Sequence, residues 1–176
     1  MKYKLAGLMM AMTLIMLAAC ASQPLPPPEW TYEPEAIKIH LRADPKLNFD
    51  DGVAHTLVVC LYQLKDPNAF NQLSEDMDGI SNLLQCALFD TGVATAKRLI
   101  VNPGQSVDLT LDRAEGAKYV AVVAGYYTLE KDRMIRMYDI PVVIETKGWI
   151  KRTKLSKPGP LTIQLDLGPS QIKGKS

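Results

Sequence analysis

The sequence predicts a mainly all-β domain, a sandwich or barrel of about seven or eight short strands with a small helical insert at about residues 66–88. Three observations carry this. Apolar residues recur with period two in short runs from Ala36 to Leu167. Turn-forming clusters such as Asp50-Asp51-Gly52 and Asn102-Pro103-Gly104 separate the runs. Helical spacing is confined to the insert, where Ile80, Leu83, Leu84 and Ala87 fall at i, i+3, i+4 and i+7.

The chain opens on a leader, residues 1–19. Lys2 and Lys4 form a basic n-region, and Leu5 to Leu17 an apolar h-region too short to span a bilayer, which needs about 20 apolar residues. Leu17-Ala18-Ala19-Cys20 then spells the lipobox of a bacterial lipoprotein signal. Ala18 and Ala19 suit a signal peptidase cleft, and the Cys20 thiol is the group that receives diacylglycerol, so Cys20 is the expected lipidation site and first mature residue. Ala21 is not Asp, the usual signal for inner-membrane retention, so the expected destination is the outer membrane of a Gram-negative cell, facing the periplasm. Several acyl chains hold a protein far more firmly than one.

Residues 20–35 read as a lipidated tether. Pro24, Pro26, Pro27, Pro28 and Pro34 favour an extended polyproline conformation that could hold the domain on the order of 40 Å from the membrane. Trp30 and Tyr32 either lie at the lipid interface or pack on the domain.

The domain occupies residues 36–176. In its first strand, Ile37, Ile39 and Leu41 alternate with Lys38, His40 and Arg42, which makes His40 a solvated strand residue. Asp44 to Gly52 is a loop by composition and too long for a tight hairpin. The second strand, His55 to Leu64, has two apolar faces: Leu57, Val59 and Leu61 on one, Val58, Cys60, Tyr62 and Leu64 on the other. Both faces must therefore be covered. Asp66 and Pro67 start a helix as cap and first-turn residue, leading into Ala69, Phe70 and Leu73, and a second helical piece begins at Asp78.

Strands follow at Val93 to Val101, which ends in the Asn102-Pro103-Gly104 turn, and at Ser106 to Leu111. Lys118 to Leu129 is the most apolar run and hence central. Met134 to Glu145 is restricted by Pro141 to an edge, a bulge or two shorter strands. Trp149 to Lys154 is a basic strand or loop, and Leu161 to Leu167 the last strand.

Composition narrows the function. Without the leader, the 20 basic side chains lose Lys2 and Lys4 and stand at 18 against 19 acidic ones, which argues against nucleic acid as a partner. With Cys20 lipidated, Cys60 and Cys86 remain, an even pair that in an exported domain points to one disulfide, worth roughly 3 kcal/mol on a chain-entropy estimate. Two buried free thiols are the alternative. Metal binding is disfavoured because no second ligand pair stands at a C-x-x-C or H-x-x-x-H spacing. A Cys60–Cys86 bond would staple the insert onto the second strand.

No catalytic constellation emerges. His40 and His55 lie in no metalloprotease pattern, and neither a G-x-S-x-G elbow nor a Gly-rich phosphate loop is present. Glu75, Asp76 and Asp78 faintly resemble a calcium loop, but Met77 breaks the pattern, and they read as helix-end charge. The basic group Lys147, Lys151, Arg152, Lys154 and Lys157 could touch anionic lipid or an acidic partner, although such runs are usually solvated. No catalytic residues, metal, cofactor or small-molecule substrate are expected.

In chain order, several stretches resemble one family, TssJ, the lipoprotein of the type VI secretion system. Leu47-Asn48 and Asp51-Gly52 precede Leu57-Val58-Val59-Cys60-Leu61-Tyr62-Gln63-Leu64-Lys65-Asp66, similar to the family's apolar strand ending in Tyr-Gln-Leu, with Phe70 at the expected offset. Asn102-Pro103-Gly104-Gln105 resembles its Pro-Gly-Glu turn, and Ala117 to Ala124 its central strand. Cys60 departs from a position where the family commonly carries a basic residue, so the resemblance does not imply the disulfide. Met134 also stands where the family often has an aromatic.

The resemblance implies a transthyretin-like β-sandwich with a helical insert, anchored in the outer membrane. It implies a structural, non-enzymatic role, binding the periplasmic carboxyl-terminal domain of a TssM-like inner-membrane partner. The family's contact loop maps onto Asp44, Pro45, Lys46, Leu47, Asn48, Phe49, Asp50, Asp51, Gly52, Val53 and Ala54, with Leu47 and Phe49 as expected apolar anchors; the alternative for this segment is a floppy surface loop with a buried Leu47. The alternative is a periplasm-facing lipoprotein whose sandwich binds a small ligand or glycan in a deep apolar pocket.

Overall fold

The computed structural model describes residues 25–148 and 153–173. The leader, Cys20 and the Trp149–Arg152 stretch lie outside these. Among these residues ten strands and three short helices follow one another: β1 (Glu33–Ala43), β2 (Leu57–Leu64), α1 (Asn68–Leu73), α2 (Met77–Leu83), β3 (Val93–Val101), β4 (Ser106–Arg113), β5 (Tyr119–Ala124), α3 (Lys131–Met134), β6 (Ile135–Asp139), β7 (Val142–Lys147), β8 (Thr153–Pro158), β9 (Leu161–Leu167) and β10 (Ile172–Lys173). The count exceeds the expected seven or eight because Pro141 splits the 134–145 run into β6 and β7, and because the two-residue β10 adds to the edge. The central apolar run stops at Ala124, where Gly125 lies against Leu84 and donates to the Val58 carbonyl (2.8 Å).

Two four-stranded sheets pack face to face. One has the order β10-β9-β1-β4 and the other β3-β2-β5-β6, while β7 and β8 form a separate hairpin. In the first sheet β1 lies between an antiparallel β4 and a parallel β9, with Ile39 opposite both Leu109 and Ile163. The period-two pattern turns Ile37, Ile39 and Leu41 inward against Leu57, Val59 and Leu61 of β2, and Val120, Val122, Ile163 and Leu165 join them in the main core.

The second apolar face of β2 is covered as its sequence requires. Cys60, Tyr62 and Leu64 bury with Phe70, Leu83, Ala121 and Val123 in a distinct cluster beneath the helical insert. Cys60 and Cys86 form a disulfide with Cα atoms 5.1 Å apart. The Tyr62 hydroxyl donates to the Leu83 carbonyl at 2.5 Å, and burial pushes its pKa up to about 12. The Asp66 carboxylate accepts from the Asn68 N–H (2.8 Å), although Pro67 itself occupies the cap of α1. Asp76 rather than Asp78 caps α2, accepting from the Gly79 N–H at 2.7 Å. Gly79 is required there: a Cβ would fall 2.1 Å from the Leu73 carbonyl oxygen.

The proline-rich segment differs from a free tether. Trp30 packs against the main core and its carbonyl accepts from Gly116 N–H (2.6 Å). Arg113, itself buried, donates to the Thr31 carbonyl from Nη2 (2.9 Å) and Nε (3.3 Å). Tyr32 donates to Asp112 at 2.5 Å, and the Pro26 carbonyl accepts from Ser156 Oγ. Trp30 and Tyr32 thus pack on the domain, and β1 starts at Glu33 rather than Ala36. The six-residue span from Cys20 to Pro26 can reach at most about 20 Å, half the length expected of a tether running to residue 35.

Candidate functional site

These contacts give the sandwich two poles. The docked N-terminal segment, the Gly116 turn and the β7–β8 hairpin gather where β1 begins. The Asp44–Ala54 loop sits where β1 ends, about 33 Å away for 11 extended residues.

The loop is held at its root and bent by local chemistry. Asp44 donates its N–H to the Leu167 carbonyl (2.8 Å), and its own carbonyl accepts from Gly104 (3.2 Å). Its carboxylate accepts from the Lys46 N–H (2.9 Å) and from Lys173 Nζ (2.9 Å), which hold its pKa below the ordinary carboxylate value. Asn48 takes a positive φ of 46°. Its amide reaches in two directions, accepting from the Tyr127 N–H (3.1 Å) and donating to the Thr56 carbonyl (3.2 Å). The Phe49 N–H is tied to the Pro169 carbonyl (2.7 Å).

Beyond Phe49 the chain makes a miniature hairpin. Asp50 and Val53 exchange both backbone hydrogen bonds (3.0 and 2.9 Å), with Asp51 (φ 46°) and Gly52 (φ 82°) at the tip. Positive φ at both central residues is the geometry for which Asp-Gly is favoured. A loop expected to be too long for a tight hairpin therefore contains one. Among the described residues it is a fixed protrusion rather than a slack connection.

The structure corrects one expected anchor. Leu47 is 0% exposed and belongs to the main core, because its carbonyl accepts from His55 N–H (3.0 Å) and folds the residue under the loop. Phe49 does face solvent, at 41% exposure, with Lys46 Nζ 5.6 Å above its ring. Val53 and Tyr127 are exposed at the same pole, both 57%, as are Asp50 and Asp51. Tyr127 packs edge-on against His55 with centroids 5.2 Å apart. Tyr127 is not among the sequence candidates; the hydrogen bond from its N–H to Asn48 and its packing on His55 bring it to the loop, and nothing local encodes either.

The remaining candidates are dispersed. His40 meets Asp108 across the β1–β4 pair at 2.5 Å, on an exposed face. Of the basic group, Lys147, Lys154 and Lys157 lie on β7 and β8, while Lys151 and Arg152 fall outside the described residues. Glu75 pairs with Lys131. Among the described residues no group of three His, Cys, Asp or Glu side chains is placed to hold a metal ion. Two hollows of about 500 Å3 lie on outer surfaces, one between α1 and α2 beside Gln72 and Asp76, one beside His40, Asp108 and Asp166. Both are open and of mixed lining, the first with Leu73 and Phe89 beside Asp76, Asp78 and Asp90, the second with Leu41 and Leu165 beside Arg42 and Lys173.

Comparison with known proteins gives this geometry a context. Among curated proteins none matches the chain. Several solved structures share its fold. TssJ1, the type VI secretion lipoprotein of Pseudomonas aeruginosa, is 22% identical with a TM-score of 0.58, over 84% of this chain and 95% of that one. Serratia marcescens Lip, described as a membrane-bound component of the type VI secretion system, is 15% identical with a TM-score of 0.58, over 80% of this chain and 96% of that one. A chain in a structure described as the TssM C-terminal domain from EAEC is 20% identical with a TM-score of 0.55, over 78% of this chain and 94% of that one. The model of the family described as type VI secretion lipoprotein (VasD, EvfM, TssJ) matches residues 35–166, nearly the whole folded domain, and this chain belongs to that family.

Proposed function

We propose that this chain is the outer-membrane anchor of a type VI secretion trans-envelope complex. Acyl chains on Cys20 hold one pole to the membrane, and the Asp44–Ala54 loop at the other binds the periplasmic carboxyl-terminal domain of a TssM-like inner-membrane protein. The role is structural and not enzymatic. The observation that carries the reading is the fixed loop of a family member displaying Phe49, Val53 and Tyr127 at the pole opposite the N-terminal segment. A fixed loop that displays apolar and acidic side chains suits recognition, since its ordering cost is met on folding rather than on binding. Likeness to chains in structures described as the TssM C-terminal domain and the type VI membrane complex supports the choice of partner.

The test is capture of the TssM-like domain by the full lipoprotein. Phe49→Asp and Val53→Asp are each expected to weaken binding about 30-fold, the size of a 2 kcal/mol hot spot, without shifting the melting temperature. Unchanged affinity with an unchanged fold would remove the loop from the interface. Leu47→Asp is not a binding test, because it places a carboxylate in the core. Cys20→Ser is expected to leave partner binding intact and release the protein from the membrane.

A further inference from the structure

We infer that the β7–β8 hairpin is a second membrane contact, laying apolar and lysine side chains onto an anionic phospholipid surface beside the anchor. Among the described residues the hairpin pairs only with itself, outside both sheets. Val142, Val143, Ile144 and Leu155 are all exposed on it, Ile144 at 61%. Register places Val142 and Ile144 on one face and Val143 and Leu155 on the other, so both faces present apolar surface to solvent. An isolated two-stranded hairpin of this composition is marginal in water and offers open edges, so it calls for a cover.

Position and charge select lipid as that cover. Ser156 on β8 donates to the Pro26 carbonyl, so the hairpin lies where the N-terminal segment leaves the domain. From Pro26 only six residues lead back to Cys20, a reach of at most about 20 Å. Lipidation of Cys20, on which this inference rests, would thus bring the hairpin to within that distance of the bilayer. The two strands carry Lys147, Lys154 and Lys157 against a single acid, Glu145, which pairs with Lys157 at 2.9 Å. Lys147 and Lys154 stand exposed at the end of the hairpin remote from Pro141. Each lysine near an anionic leaflet strengthens contact about fivefold.

The experiment uses the full lipoprotein reconstituted in vesicles of phosphatidylethanolamine with or without phosphatidylglycerol. With Cys60 and Cys86 bonded and Cys20 acylated, Ile144→Cys supplies the single thiol for an environment-sensitive fluorophore, and Val53→Cys labels the far pole. The expected result is a residue-144 probe shielded from iodide and quenched by a lipid-borne quencher when phosphatidylglycerol is present, with the residue-53 probe open to iodide. Adding Lys147→Glu and Lys154→Glu should weaken that contact at least about 25-fold while flotation with the vesicles is kept. Flotation with a residue-144 probe as open to iodide as residue 53 would overturn the hairpin contact and leave the anchor standing. Failure to float would overturn the anchor and this inference with it. Shielding that appears in detergent and grows with protein concentration would overturn the lipid in favour of a second copy.

Discussion

Removal of the Cys60–Cys86 bond should cost the domain about 3.5 kcal/mol, because the bond closes 26 residues of chain and the loop entropy lost by the unfolded state at 25 °C has that size. For a domain of this length each kcal/mol shifts the melting temperature by about 2–4 °C, so Cys60→Ala with Cys86→Ala should melt about 7–14 °C lower. The loss should appear first in the insert. Helices α1 and α2 have six and seven residues, too few to persist alone, and are held by Phe70 and Leu83 against Tyr62 on β2. Limited proteolysis should therefore cut between residues 66 and 92 before the sandwich unfolds. Cys86 sits at φ 55°, a left-handed geometry that costs an L-residue energy unless something fixes it. Cys60→Ala with Cys86→Gly should accordingly recover on the order of 0.5–1 kcal/mol relative to the double alanine variant. Calorimetry on the oxidised protein and both variants measures this. A loss below about 1 kcal/mol, with the insert no easier to cut, would refute the chain-entropy reasoning. Two thiols titrating in the oxidised, denatured lipoprotein would refute the bond itself.

Other perturbations probe the remaining contacts. Arg113→Met keeps the buried volume but loses both hydrogen bonds to the Thr31 carbonyl, and should cost about 1.5–3 kcal/mol in urea unfolding while exposing residues 25–32 to protease. Gly79→Ala drives a Cβ to 2.1 Å from the Leu73 carbonyl oxygen, and should cost about 1–3 kcal/mol by calorimetry with the insert loosened. Acid should weaken both poles. The Tyr32 hydroxyl and the Glu35 N–H lower the pKa of Asp112, and the Lys46 N–H and Lys173 lower that of Asp44. A carboxyl whose folded pKa lies below its unfolded value of 3.8 contributes stability above that pH and loses it as the pH falls through the folded value. Denaturant midpoints should therefore hold down to about pH 4 and decline below it, with Asp44→Asn and Asp112→Asn removing part of that decline.

Where a residue's fate depends on its immediate neighbours, the sequence was legible. Alternation over Ile37, Ile39 and Leu41 marks β1 because one face of that strand is buried and the other wet. The doubly apolar β2 announced the insert's cover, since neither face could meet water. Pro141 breaks the 134–145 run for want of an N–H. The place of Leu47 is not legible locally, because a leucine in a polar loop looks the same whether it caps the core or faces outward; Asn48 at positive φ decides, and that conformation is held by hydrogen bonds to Tyr127 and Thr56. The docked N-terminal segment was hidden likewise: prolines predict extension but not adhesion, and Arg113 lies 82 residues from its Thr31 partner. Exposure of β7 and β8 is a tertiary fact too, because a strand that pairs only with its hairpin mate has the same composition as one inside a sheet.

The two poles acquire mechanical meaning on the proposed reading. Tension between an anchor at Cys20 and a partner on the 44–54 loop enters at one end of β1 and leaves at the other. Along that strand Ile37 to Arg42 pair with β4, and Ile37 to Ala43 with β9. Ladder hydrogen bonds run perpendicular to their strands, so a pull along β1 shears both ladders at once instead of opening them one bond at a time. The root of the loop adds to the hold, since Asp44 is bonded to Leu167, Gly104 and Lys173 and thereby spreads force into β9, the β3–β4 turn and β10. At the other end the Arg113 clamp on Thr31 and the Gly116 contact with Trp30 tie the entering chain to β4 and its following turn. A sandwich that joined anchor and loop through an edge strand would meet the same load on one ladder only. On that reading, placing β1 inside its sheet suits a protein whose work is to hold.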